Sequence, residues 1–200
     1  MANVKYIYQW VFDWEGGLVY FPSEGQWTNK GVQEKTFYAL SQKLLGVAPT
    51  LANLKALTDA QAKKFIDYYW NSATYGNRIK NQEAANLMFF AYWASGNTGI
   101  EKMQAGLRKL NPSILIDGVT GPQTVGTINN ANSKTVNTIL RDTLEAWFRY
   151  LGKYPQYAMF LTGWLNRLGS LASVTSKTSD TGGGGVAIAA LLFGFAVMRN

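Results

Sequence analysis

Apolar residues recur at helical spacing along most of the chain. Val4, Ile7, Val11 and Trp14 form a stripe that predicts a first helix over residues 3–14, stopped by Gly16-Gly17. Residues 18–30 lose this period and carry Gly, Pro, Ser and Asn, which predicts a loop or a small β-hairpin. A second helix is expected from Val32 to Leu45, closed by Gly46. Thr58 with Gln61 three positions on reads as a capping box. It should open a third helix ending near Trp70 that buries Ala62, Phe65, Ile66 and Tyr69. Apolar helices follow at 82–94 and 98–110, separated by Ser95-Gly96, the second turning Ile100, Met103, Leu107 and Leu110 inward. Asp117-Gly118 signals a turn, and Gly121-Pro122 a helix start. Two more helices are expected at 133–151 and 156–169. The fold class is mainly α, without internal repeats.

The pattern changes near the end. Residues 172–185 are rich in Ser, Thr and Gly and read as a linker, whereas residues 186–198 are apolar on every face. With the preceding glycines the uncharged run reaches 17 residues. As a helix it would measure roughly 25 Å, the short limit for crossing a bilayer. A buried terminal helix is the alternative. The glycine linker favours lipid, so a C-terminal transmembrane helix is expected, with only Lys177 and Arg199 flanking it.

Composition narrows the chemistry. The 200 residues include no Cys and no His, and the net charge is +7. A Ser-His-Asp triad and a Cys-His pair are therefore excluded, and the usual catalytic zinc sites lack their ligands. Hydrolysis would rest on carboxylates, hydroxyls, amines or backbone groups, and carboxylate hydrolysis is above all glycoside chemistry. The basic balance suits a polyanion: nucleic acid, an anionic membrane or bacterial cell wall. No arginine-rich stripe or nucleic-acid motif accompanies it, so no specific nucleic acid is expected. The first residues, Met-Ala-Asn-Val-Lys, lack the apolar region of a signal peptide.

The sharpest local feature is Glu15-Gly16-Gly17 followed by Thr28-Asn29-Lys30-Gly31-Val32. Glu15 sits at the end of an apolar helix beside Trp14. Burial against an indole and the negative helix end both disfavour its ionisation, as a general acid requires. An ordinary charged residue at a helix end is the competing reading. Glu24 and Thr28 lie on the next loop, where a second carboxylate and a hydroxyl could hold water in an inverting reaction. On residue chemistry alone they stand equally well as loop residues. Tyr20 and Trp27 on the same loop are candidate sugar platforms. Asn29 and Asn97 could bind acetamido groups or could cap helices.

The segment from Glu15 to Val32 resembles the E-G-G … D … T-N-x-G-I signature of glycoside hydrolase family 108, N-acetylmuramidases of phages and bacteria. The resemblance continues through Leu57-Thr58-Asp59-Ala60-Gln61-Ala62, Tyr69-Trp70 and Ser95-Gly96. Beyond these come Met103-Gln104-Ala105-Gly106-Leu107, Asp117-Gly118-Val119-Thr120-Gly121-Pro122-Gln123-Thr124 and Gly163-Trp164-Leu165-Asn166-Arg167. It implies a lysozyme-like helical fold that cleaves the β-1,4 bond between N-acetylmuramic acid and N-acetylglucosamine in peptidoglycan, without metal or organic cofactor. Carried over by position, Glu15 is the catalytic acid and Glu24 with Thr28 completes the set. Glu24 replaces the family's Asp, and the run before Thr28 is one residue shorter.

The expected organisation is a muramidase lobe at 1–98, a helical peptidoglycan-binding-like lobe at 99–171, the linker at 172–185 and the transmembrane helix at 186–198. A phage lysin or virion-associated enzyme anchored in a virion membrane or host envelope would fit, with virion proteins as further partners. The alternative is a catalytically inactive peptidoglycan-binding or structural virion membrane protein.

Overall fold

A computed structural model describes residues 1–22 and 25–175. Helix α1 (Lys5–Glu15) turns Ile7, Trp10, Val11 and Glu15 inward. It ends where Gly16 adopts φ 61° and ψ −160°, a conformation essentially confined to glycine. Three short strands follow: β1 (Val19–Phe21), β2 (Gln26–Asn29) and β3 (Val32–Gln33). They pair antiparallel in the order β1-β2-β3, with Tyr20 opposite Trp27 and Asn29 opposite Val32. The expected loop or hairpin is thus a three-stranded meander. Lys30 and Gly31 link β2 to β3 with φ of 50° and 79°. Two successive positive φ values match the twist of a tight hairpin. That turn commits Val32 to pairing, so the second helix begins two residues later than expected.

Helix α2 (Glu34–Leu45) ends at a left-handed Gly46, as its sequence predicts. The short α3 (Leu51–Lys55), capped by Thr50, was not anticipated, because five residues carry no readable period. In α4 (Asp59–Ser72) the Thr58–Gln61 capping box forms in both directions. The buried face is Ala62, Phe65, Ile66 and Trp70; Tyr69 is only half-buried. Helix α5 (Gln82–Leu107) contains the predicted break, Gly96 at φ 55° and ψ −143°. The chain doubles back there so tightly that a Cβ on Gly99 would lie 2.0 Å from the Ala91 carbonyl oxygen.

Helices α6 (Pro122–Asn130) and α7 (Ser133–Leu151) match expectation. The expected 156–169 helix is two pieces, α8 (Pro155–Ala158) and α9 (Leu161–Ser170). The chain turns between them to bury Phe160 against Trp164, with ring centroids 6.1 Å apart. A 3-10 turn over Leu171–Thr175 follows. The turn runs to Thr175 and Val174 packs against the core, so the folded body extends past the expected linker start at residue 172.

One core cluster surrounds α5, where Leu87, Met88, Phe89 and Phe90 meet α1, α7 and α9. The α7 stripe Val136, Leu140, Leu144 and Phe148 recurs every four residues against it. A smaller cluster, Val32, Phe37, Leu54, Leu57, Ala62 and Phe65, joins the sheet to α2, α3 and α4. Each such side chain contributes about 1.5–3 kcal/mol on burial. Phe12 of α1 packs against both clusters. Helix α1 therefore sits between them, with Glu15 at its end. Among the described residues no helix is long and apolar enough to cross a membrane. The expected transmembrane segment 186–198 and most of the linker lie outside the described residues.

Candidate active site

Glu15 is only 2% exposed despite its position at a helix end. Three distant pieces of chain enclose it. From α5, Trp93 donates its indole N–H to Glu15 Oε1 at 3.2 Å, from 78 residues away. From the β2–β3 turn, Gly31 packs so closely that a Cβ there would lie 3.0 Å from Glu15 Cγ and 2.7 Å from Trp93 Cζ2. From α9, Arg167 projects its positive field on the carboxyl. Glu15 Oε2 has no hydrogen-bond partner among the described residues.

Burial dominates the electrostatics. Loss of water pushes the Glu15 pKa up to about 8, opposed by Arg167 and by the Trp93 hydrogen bond. The indole responsible differs from the one expected. Trp14 turns away to donate to Ser170 Oγ at 3.0 Å, and Trp93 takes the place beside the carboxyl. Trp93 is held in turn by Phe89, stacked at 5.2 Å, and by the edge-on Tyr69 at 6.0 Å. Its helical spacing reads as core, and nothing local in the sequence ties it to Glu15.

The other candidates divide by strand face. Successive strand side chains alternate, so Trp27 and Asn29 share one face of β2 and Thr28 takes the other. Thr28 is 2% exposed, and its hydroxyl has no hydrogen-bond partner among the described residues. It therefore retains the donor and acceptor capacity that a water-holding role requires. Asn29 is committed elsewhere. Its amide donates to the carbonyls of Leu54 at 2.8 Å and Lys55 at 3.2 Å, tying the sheet to α3. This architectural role replaces the expected acetamido contact.

Trp27 is half-buried and already engaged by Tyr20, at 5.2 Å between centroids, and by the Lys55 ammonium at 4.2 Å. Tyr20, 45% exposed, is the ring of the pair more open to solvent. Asn97 follows the Gly96 break, backed closely by Gly118. Glu24 lies outside the described residues.

Asp117 belongs to turn architecture. Gln104 binds its backbone N–H at 3.0 Å and its carboxylate at 2.8 Å, and holds the Gly118 N–H as well. Among the described residues no group of three or more carboxylates could hold a metal ion.

A buried protonated carboxyl beside a free lone pair suits proton donation to a glycosidic oxygen. Residues 8–96 match the family model Glycosyl hydrolase 108, a span that includes Glu15, the Lys30-Gly31 turn and Trp93. The fold resembles that in the "Structure of Brucella abortus SagA", with a TM-score of 0.69 at 22% identity. The superposition covers 89% of this chain and 97% of that one. No curated protein shows a significant match. Residues 8–96 thus resemble glycosyl hydrolase family 108, on a mainly helical body with a small sheet after its first helix, and this similarity supports a glycoside hydrolase of the peptidoglycan-cleaving muramidase class.

Proposed function

We propose that the protein hydrolyses the β-1,4 bond between N-acetylmuramic acid and N-acetylglucosamine, with Glu15 as general acid. The observation that carries this reading is the burial of a carboxyl whose pKa lies near 8 and whose Oε2 has no donor among the described residues. An ordinary glutamate would be protonated in only about 0.3% of molecules at pH 7. At this site most molecules carry the proton there. It passes to the leaving-group oxygen as the glycosidic bond breaks and the sugar ring takes on oxocarbenium character. Water, proposed to be held by Glu24 and Thr28, then adds to the anomeric carbon and gives up its proton to the Glu24 carboxylate. Tyr20, with Trp27 and Asn97, is proposed to contact the sugars.

Because the acid must be protonated, its depletion sets the alkaline limit. The rate of release of reducing sugar ends from purified peptidoglycan should hold to about pH 8 and then fall tenfold per pH unit. A descending limb centred near pH 4–5 would contradict the assignment.

We also propose that residues 186–198 tether the enzyme to lipid, in a virion membrane or the host envelope, as a phage lysin or virion-associated muramidase. The support is the uncharged sequence following four glycines. The full chain should float with neutral phosphatidylcholine vesicles, and a chain ending at residue 175 should not. Equal flotation of both would remove the tether.

A further inference from the structure

Arg167 is a buried charge in need of an anion. It is 5% exposed, and its guanidinium cannot shed its proton in a protein. Its contacts are weak for such a group. Nη2 donates to the Trp14 carbonyl at a long 3.4 Å, the guanidinium lies 5.8 Å from the Trp14 ring, and Nε has no hydrogen-bond partner. The next residue along α1 is Glu15, whose Oε2 is equally buried and equally unpartnered. The two make no ion pair within 4 Å among the described residues, although the Arg167 charge acts on the carboxyl.

The surroundings hold α9 firmly enough for this juxtaposition to matter. Trp10 and Trp14 both donate to Ser170 Oγ, at 2.8 and 3.0 Å, and Ser170 donates back to the Arg167 carbonyl. Arg141 of α7, itself paired with Glu83 of α5, donates to the neighbouring Leu168 carbonyl at 2.7 Å. Other nearby charges are engaged or solvated. Lys30 in the turn pairs with Asp59 at 2.6 Å, and Asp13 on α1 is exposed and bonded by Gln9. Trp93 and Gly31 are neutral.

We infer that Arg167 is a positioning residue outside the matched family segment, which closes on Glu15 as an ion pair once the Glu15 proton has left. A buried carboxylate without a partner is costly, and the waiting guanidinium removes that cost at the moment charge develops. The same field keeps Glu15 a strong enough acid to give its proton and to recover it after each cycle. The C-terminal helices are then part of the catalytic unit. The role in turnover rests on Glu15 being the acid; the coupling of the two side chains does not.

The test follows both groups in the full-length protein. With ¹⁵N-arginine and ¹³C-glutamate labels, the Arg167 Nε resonance should move with the same midpoint as the Glu15 carboxyl between pH 5 and 10. Arg167→Met should raise the Glu15 midpoint by about one pH unit or more, while Arg167→Lys stays close to the parent. In Arg167→Met, kcat should fall about tenfold or more with KM unchanged, and Arg167→Lys should recover much of it. An Arg167 resonance that stays flat through the Glu15 titration, or a Glu15 midpoint unmoved by Arg167→Met, overturns the inference. If Arg167→Met fails to fold, the parent's own resonance decides. Joint titration alongside a fully active Glu15→Gln would keep the pair and overturn the acid.

Discussion

Glu15→Gln should lower glycan cleavage by about a thousandfold, within the range that general acid catalysis supplies. The substitution keeps the shape of the side chain and its contact with Trp93 while removing the transferable proton. Release of sugar fragments, followed by mass spectrometry, should therefore collapse while binding to insoluble peptidoglycan persists. If the parent itself releases no fragments, the inactive binding reading takes over.

The same substitution has a second signature, because Glu15 links stability to pH. The usual glutamate pKa is 4.5, and burial raises it to about 8 in the fold. Between these values the folded state holds a proton that the unfolded state has released. Stability therefore falls as pH rises through this window, by an amount on the order of a few kcal/mol. Glutamine does not titrate, so its melting temperature should gain on the parent's as pH rises from 5 to 8. A difference that stays constant over that range would show that Glu15 ionises in the fold as it does in water. The expected combination, more stable and inactive, is the trade-off typical of strained catalytic groups.

Gly31→Ala should damage activity although the residue has no side-chain chemistry of its own. Two separate costs coincide. At φ 79° a Cβ meets backbone strain of about 1–2 kcal/mol. It would also stand 2.7 Å from Trp93 Cζ2 and 3.0 Å from Glu15 Cγ, so the indole or the acid must shift. Displacing an acid by about 1 Å costs about a hundredfold in rate. We expect a loss of about 10- to 100-fold in activity and roughly 2 kcal/mol in stability by urea denaturation. Gly17→Ala provides the contrast, since a Cβ there meets nothing within 4 Å. It should retain most of the activity. Equal tolerance at both positions would mean that the turn does not position the acid.

These predictions separate what the sequence made legible from what it did not. Helix α7 follows from an uninterrupted apolar stripe, and α4 from a cap whose two hydrogen bonds depend on residues three apart. Gly46 and Gly96 mark their bends because glycine tolerates the φ required. Helix α3 was invisible because five residues complete barely more than one turn. The sequence places Val32 at the start of the second helix, whereas the Lys30-Gly31 turn commits it to β3. Glu15 stands out in the sequence as a carboxylate ending an apolar stripe, and the structure buries it. Its partners do not stand out. Trp93 and Arg167 reach Glu15 only through tertiary packing, and their spacing reports a buried helix face without saying what they meet there. Asn29 shows the converse: a motif residue whose amide serves the sheet's attachment to α3.

The proton on Glu15 is the claim on which the account stands, and a direct titration reaches it without any substrate. Carbon-13 NMR of glutamate-labelled protein, assigned by the signal lost in Glu15→Gln, should show the Glu15 carboxyl titrating near pH 8. A midpoint between about 4 and 5, that of a solvated glutamate, would contradict it.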